Sequence, residues 1–427
     1  MLEINNTYLV RIEETNIFAN GVCHINDMVV FVENALAGEL CLVKITKVLS
    51  KYAYARCIEI VEQSSARITS DCPYFPKCGG CTFPHVSIEE ENRIKHNYVK
   101  NMFTRNKLNA KVEQTVCMEY EEYRNKVVLF YDGEAFGYME RGTNRIIPHQ
   151  ACNLNDGVFD KIADFVAENL KSISLRALYM RKSSGKKSEV MVCIILKKEE
   201  NIDSFIAMLV KEFPSVKSVS LGINSDKSLV LERIKFKTIY GDGVIFDEIC
   251  GLRFRVSPES FFQINHSCTE KLYEKAIELA GVDENSICAD LFCGVGTIGI
   301  ISAKQTGAKI YGVEIVEKAI QDARTNAVIN GIENIYLEAM DAKNFEQHVD
   351  VCIIDPPRKG CSELMIKTLK RLLPERIVYI SCNVETMTRD ILLLNEKYEI
   401  SSPVSVFNMF PRTSHVESVV CLKRSHK

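Results

Sequence analysis

The sequence predicts an α/β protein, with a Rossmann-like parallel-sheet domain preceded by a small N-terminal β-barrel and a central α+β region that carries a cysteine-rich loop. Three observations predict it. From about residue 251, strand-like and helix-like segments alternate strictly. Residues 1–60 are short strand-like runs separated by turn pairs such as Asn20-Gly21 and Ala37-Gly38. Between these regions, residues 71–83, DCPYFPKCGGCTF, hold too much Cys, Pro and Gly for helix or strand. At 427 residues the chain exceeds one ordinary core. The expected division is 1–60, 61–250 and 251–427.

Taken in order, the expected strands of the first region are Thr7–Ile12, Gly21–His24, Met28–Val32, Glu39–Val48 and Tyr54–Ile60. A polar helix is expected from Ile88 to about Lys107. The central region shows strand-like Lys126–Tyr131, Glu189–Leu196 and Ser218–Ile223, with helices near 156–171 and 202–213. Five strands follow at Ile287–Phe292, Lys309–Glu314, Ile335–Met340, Val349–Ile354 and Arg376–Ser381. Helices lie between them. In Val316–Ile329, Ala319, Ile320, Ala323, Ala327 and Val328 share one face, and Asn330-Gly331 supplies a stop. Two last strands, about 398–407 and 415–423, lack a helix between them and are expected as an antiparallel hairpin at the sheet edge.

Composition narrows the class. A chain 46% hydrophobic and 26% charged is not wholesale disordered. No run of about 18 uncharged apolar residues is present, so no membrane span is expected. The start, MLEINNTYLVRIEETN, lacks a basic stretch followed by an apolar run, so no signal peptide is expected and the location is read as cytoplasmic. A net charge of −3 removes the argument that the chain binds nucleic acid because it is basic. Seventeen cysteines is an odd count in a chain too long to need disulfides. Most are read as small buried thiols, such as Cys193 and Cys352 in apolar runs.

The strand ends carry the chemistry. Asp290-Leu-Phe-Cys-Gly-Val-Gly-Thr-Ile-Gly299 closes a strand and opens a helix, with Gly294, Gly296 and Gly299 at G-x-G-x-x-G spacing. Glu314 ends the next strand, where it could bind ribose hydroxyls. Alone, this pattern would equally serve a nicotinamide-dependent oxidoreductase. The following strands end at Asp341, at Asp355-Pro-Pro-Arg358 and at Ser381-Cys382-Asn383. Ligands of open parallel sheets bind beyond the carboxyl ends of the strands, so all five ends face one crevice.

The chain resembles the RNA uracil-5-methyltransferases that use S-adenosylmethionine. The resemblance covers essentially the whole length. It is carried by Phe261-Phe262-Gln263-Ile264-Asn265, DLFCGVGTIG, DPPRKG at 355–360, SCN at 381–383 and FPRTSHVES at 410–418. It implies a class I methyltransferase domain and a TRAM-like RNA-binding barrel at the N-terminus. It also implies a cofactor site of Gln263, Phe292, Thr297, Glu314, Asp341 and Asp355, with Cys382 as nucleophile and Glu417 as base. Two positions depart from the family pattern. Val384 stands where Pro is frequent, and Asn408 where Asp commonly precedes Met-Phe-Pro.

The reaction wants these residue types. Uracil C5 is a poor nucleophile until a thiolate adds at C6, which makes C5 enolate-like and able to attack a methyl sulfonium. After transfer, a base must remove the C5 proton before the thiolate can leave. Glu417 is the implied base and His415 the rival.

Cys72-x5-Cys78-x2-Cys81 with the distant Cys152 is a four-thiol pattern, open on spacing alone to zinc or to an iron–sulfur cluster. The resemblance matches these positions to the ligands of a [4Fe-4S] cluster and implies the branch acting on 23S rRNA, with tRNA as the alternative RNA. Four protein ligands leave no iron open, so a structural or RNA-positioning role is expected. A non-enzymatic iron–sulfur RNA-binding protein is the remaining alternative.

RNA contacts must come from local clusters. Lys and Arg number 5 against 7 Asp and Glu in residues 1–60, 12 against 12 in 61–150 and 15 against 14 in 151–250. The candidates are Arg124 with Lys126, Arg141 with Arg145, and Arg181-Lys182 with Lys186-Lys187. Phe261, Phe262 and Tyr74 are candidates to stack on displaced bases.

Overall fold

The computed structural model describes residues 2–185, 187–226 and 229–425. Six strands build the N-terminal module: β1 (Thr7–Arg11), β2 (Glu14–Thr15), β3 (Asn20–Ile25), β4 (Met28–Glu33), β5 (Leu40–Val48) and β6 (Tyr52–Glu62). They form one sheet in the order β1-β5-β6-β4-β3-β2. Period-two patterning buries Cys41, Val43 and Ile45 of β5 against Val30, Val32, Ala53 and Ala55. The two-residue β2 has no periodicity to reveal it in the sequence.

Helix α1 (Ile88–Arg105) and β7 (Val112–Val116) follow. The central sheet uses β8 (Lys126–Tyr131), β9 (Phe136–Met139), β10 (Ile146–Pro148), β11 (Leu175–Lys182), β12 (Val190–Leu196), β13 (Val216–Ile223) and β14 (Lys237–Tyr240). Their order is β10-β9-β8-β11-β12-β13-β14. One face packs on α2 (Gly157–Asn169) and α3 (Asp203–Glu212). The other joins a core continuous with the C-terminal sheet, in which Tyr179, Cys193 and Ile195 share a cluster with Phe254, Cys268 and Ile380. Because β12 is buried on both faces, it reads as an uninterrupted apolar run. β11 is less legible, since Arg176, Arg181 and Lys182 punctuate its apolar residues.

After the hairpin of β15 (Ile245–Ile249) and β16 (Leu252–Val256) come α4 (His266–Ala280), β17 (Ile287–Leu291), α5 (Thr297–Thr306), β18 (Lys309–Glu314), α6 (Glu317–Ile329) and β19 (Ile335–Ala339). The chain ends with β20 (Val351–Ile354), α7 (Glu363–Leu372), β21 (Arg376–Ser381), α8 (Val384–Leu394), β22 (Tyr398–Ile400), β23 (Val404–Phe407) and β24 (Glu417–Arg424). The large sheet runs β19-β18-β17-β20-β21-β24-β23-β7. Its first five members pair in parallel, as the alternating pattern requires.

Three expectations are corrected. β24 is not an edge strand: it lies between β21 and β23 and is antiparallel to both. The outer neighbour of β23 is β7, so a strand from the expected central region completes the C-terminal sheet. On α6, Val328 is 80% exposed, while Asp322 and Asn326 are buried. Asp322 accepts from the hydroxyls of Ser257 and Ser260 at 2.8 Å and pairs with Arg255, so hydrogen bonds rather than apolarity set that buried face. No described helix is long and apolar enough to cross a membrane.

Candidate active site

The parallel strands deliver their carboxyl ends to one rim, beginning with the loop after β17. Phe292 has φ 73°, Gly294 57° and Gly296 80°. Glycine takes this left-handed backbone freely; a Phe does so only at a cost of about 1–3 kcal/mol, held by its surroundings. Here the Phe292 and Cys293 N–H groups donate to Val313 O at 2.9 and 3.0 Å, pinning the loop onto β18. Gly299 serves close approach: a Cβ there would lie 3.0 Å from Asp290 Oδ2, the same oxygen that accepts from the Gly299 N–H at 2.8 Å.

The expected cofactor residues sit along this rim. Glu314 closes β18, and its carboxylate accepts from the Gly294 N–H at 3.3 Å and the Val316 N–H at 3.0 Å. Thr297 opens α5, its hydroxyl 3.2 Å from that of Tyr273. Asp355 follows β20; burial pushes its carboxyl up to about 7. Asp290 is likewise raised to about 7 by burial, reinforced by the charges of Asp355 and Glu314. Gln263 is buried ahead of α4, and its backbone carbonyl accepts from Asn125 Nδ2 at 2.9 Å. Asp341 follows β19; it caps the Lys343 N–H at 3.2 Å and pairs with Lys343 Nζ at 2.8 Å, which holds its pKa down.

Cys382 and Glu417 meet through strand register. Ser381, the last residue of β21, pairs with Ser418 of β24, so the next step sets Cys382 against Glu417. Cys382 also immediately precedes Asn383, the N-cap of α8, whose side chain accepts from Glu385 N at 3.0 Å. Burial raises the Cys382 thiol to about 11, helped by the charges of Glu417 and Asp355 and opposed by Arg358. Glu417 is buried and held well above the usual carboxylate range by burial and by Asp355, again opposed by Arg358. The rival His415 lies close by, with Nε2 3.4 Å from Arg358 Nη2; burial and Arg358 push it down to about 4.

Cys382, Arg358 and His415 border a cavity of about 240 Å³, with Phe18 of the N-terminal module and Tyr98 of α1; Glu417 is buried behind its lining, next to Val416. A thiol and a guanidinium on one cavity, with a buried carboxyl close enough to raise the thiol, suit nucleophilic addition followed by proton removal. Arg358 is not singled out by the sequence as a site residue, although DPPR held the clue. Tyr273 and Asn125 carry no pattern that marks them.

Cys72, Cys78, Cys81 and Cys152 line a second cavity together with Arg124 and His149. Burial raises Cys81 to about 12, with Cys152 and Cys78 adding and Arg124 opposing. Among the described residues, no three His, Cys, Asp or Glu side chains group to hold a single metal ion. The donor set is four thiols facing one buried guanidinium.

Most of the expected RNA-binding cations are engaged within the fold. Arg124 borders the thiol cavity, Arg141 donates to Cys81 O, Arg145 chelates Glu140, Arg181 is fully buried and Lys182 pairs with Asp156. Lys186 lies outside the described residues. Of the aromatic candidates, Phe262 is core and Tyr74 packs 3.9 Å from His149, while Phe261 is 64% exposed.

A family model described as tRNA (Uracil-5-)-methyltransferase matches residues 184–352 and 346–425, and a TRAM domain model matches residues 2–58. An uncharacterised RNA methyltransferase of Halalkalibacterium halodurans is 33% identical over 446 residues, covering 98% of this chain and 97% of that one. Another, from Caldanaerobacter subterraneus subsp. tengcongensis, is 34% identical over 450 residues, covering 99% of each chain. The crystal structure of Pyrococcus abyssi tRNA (uracil-54, C5)-methyltransferase with S-adenosyl-L-homocysteine superposes with a TM-score of 0.79 at 25% identity, covering 97% of this chain and 100% of that one.

Proposed function

The chain belongs to the tRNA (uracil-5-)-methyltransferase family, and from that premise we propose that it methylates C5 of a uridine in 23S rRNA through a covalent bond between Cys382 and C6. It is an S-adenosylmethionine-dependent RNA methyltransferase, so the oxidoreductase and non-enzymatic alternatives fall away. The observation that carries the mechanism is the β21–β24 register, which sets Cys382 against Glu417 beside Arg358. Once its proton has passed to solvent, the Cys382 thiolate, its charge offset by Arg358, adds to C6; C5 then takes the methyl group and S-adenosylhomocysteine leaves. Glu417 then removes the proton from C5. His415 is the poorer base: next to Arg358 it stays neutral, and its pKa of about 4 makes it a weak proton acceptor.

S-adenosylmethionine is assigned to the rim of Gln263, Phe292, Thr297, Glu314, Asp341 and Asp355, with Glu314 on the ribose hydroxyls. Glu314→Ala should weaken cofactor binding about ten- to a hundredfold, the loss of a charge-assisted hydrogen bond of roughly 1.5–3 kcal/mol. Arg141→Ala, at the thiol loop, should leave it unchanged. Calorimetry on both variants checks this, and equal effects would misplace the cofactor.

The four cysteines are assigned to a [4Fe-4S] cluster. The donor set fits: four thiols, no carboxylate, and a buried Arg124 to offset thiolate charge. Cys72, Cys78, Cys81 and Cys152 would hold such a cluster through all four irons, and it would fix the loop rather than supply redox chemistry. Anaerobically purified protein should absorb broadly near ~400 nm. Cys78→Ser should bleach it, and stoichiometric zinc without iron would overturn the assignment.

The cluster favours large-subunit rRNA, because the cluster-bearing branch of the family mostly acts there. A tRNA substrate is the second reading, favoured by the Pyrococcus neighbour named for uracil-54 of tRNA. The TRAM module at 2–58 is assigned to RNA binding, and the location is taken as cytoplasmic. Methyl transfer from labelled S-adenosylmethionine to rRNA and tRNA of cells lacking the protein, with the modified nucleotide mapped, decides between the substrates.

A further inference from the structure

The segment between β23 and β24 has no regular structure, yet its backbone is tied off group by group. Phe410 O accepts from Lys95 Nζ at 3.1 Å, and Pro411 O from Tyr123 Oη at 3.0 Å. The Arg412 N–H donates to both carboxylate oxygens of Glu91, at 2.9 and 3.1 Å. Arg412 O accepts from the N–H groups of Thr82 at 2.6 Å and Phe83 at 3.1 Å, directly after Cys81. Arg412 itself is held at φ 68°.

Behind this turn stands a buried ion pair. Glu91 and Lys95, one helical turn apart on α1 and fully buried, meet at 2.9 Å. Asn408 bridges them: its Oδ1 accepts from Lys95 Nζ at 2.5 Å, and its Nδ2 donates to Glu91 Oε1 at 3.0 Å. An Asp at 408 would set a second carboxylate against Glu91; the amide serves both partners. Desolvation of two charges offsets much of their attraction, so such a pair argues weakly for stability. What it supplies is direction: a rigid helix aims one carboxylate at one backbone N–H, five residues before Glu417.

We infer that Glu91 is a positioning residue, which holds the 410–413 turn so that Glu417 faces Cys382. The inference rests on the reading of Glu417 as the base. In the step concerned the C5–H bond breaks, its electron pair re-forms the C5–C6 double bond, the Cys382–C6 bond breaks to release thiolate, and the proton passes to Glu417. A loosened turn therefore slows release from the adduct, not its formation.

The test is Glu91→Gln in single turnover with S-adenosylmethionine and rRNA from cells lacking the protein, quenched and run on denaturing gels. Release should slow roughly ten- to a hundredfold, as expected for a displaced catalytic group, with adduct accumulating and cofactor affinity unchanged. Release at the wild-type rate overturns the inference. So does an equal fall in adduct formation and release, the mark of a merely structural role. Because Glu91→Gln orphans the Lys95 charge, the double variant Glu91→Gln/Lys95→Met is run beside it and should also accumulate adduct; loss of fold in both assigns Glu91 to stability alone and overturns the inference. If Glu417→Gln also fails to trap adduct, the assignment of the base has failed, and the inference goes with it.

Discussion

Cys382→Ala is expected to abolish turnover, by on the order of 10⁴-fold or more, and to leave no covalent protein–RNA species. Among the described residues lining the cavity, Cys382 carries the only thiol. The variant should still bind S-adenosylmethionine, because Cys382 lies in the cavity with Arg358 and His415 rather than on the glycine loop. It should also fold, since removing one partly buried sulfur leaves the β21–β24 pairing intact. Burial and two carboxylates hold the resting thiol near 11, so the free enzyme is protonated at neutral pH and should react slowly with alkylating reagents. RNA containing 5-fluorouracil should trap the wild type, since fluorine cannot leave as a proton does. If mass spectrometry maps the trapped RNA to another cysteine, the nucleophile is misassigned.

Glu417→Gln should lower turnover by roughly 10²–10⁴-fold, the usual contribution of a general base, but with the opposite signature at the adduct. Addition and methyl transfer proceed, the C5 proton stays, and a methylated uridine remains bonded to Cys382. The adduct should survive denaturing electrophoresis and require S-adenosylmethionine. The pH dependence has a definite sign. The folded Glu417 carboxyl is raised well above its ordinary value by burial, so the charged, proton-accepting form grows as pH rises, and adduct release should accelerate with it. Normal turnover by Glu417→Gln together with stalling by His415→Ala would transfer the role to His415.

Much of this protein is legible without coordinates, for local reasons. Alternating strands and helices produce a parallel sheet because each apolar run is too short to be buried alone and must cross over to its neighbour. The glycine loop, Glu314 and Asp355 fall at strand ends, and strand ends share one rim whatever the packing details. Asn330-Gly331 stops α6 as its backbone preferences require, with Gly331 at φ 63°. Four cysteines separated by as many as 80 residues reach one cavity; the spacing of the first three and the family resemblance pointed to the group.

The set of elements and the chemistry at their ends are thus written in local sequence. The tertiary structure decided their pairing. That β24 inserts between β21 and β23 is a long-range hydrogen-bonding choice with no local signature, and it brings Glu417 into register with Cys382. β7 joins that sheet from a distant part of the chain for the same reason. Glu91 and Lys95 fall on a helix that the sequence marks only as polar, and Arg181 in a cluster expected to contact RNA; all three are buried. Burial of a charge is decided by the partners that the rest of the chain brings to it. For Glu91 those partners include a backbone N–H and an amide more than 300 residues away, beyond the reach of any periodicity.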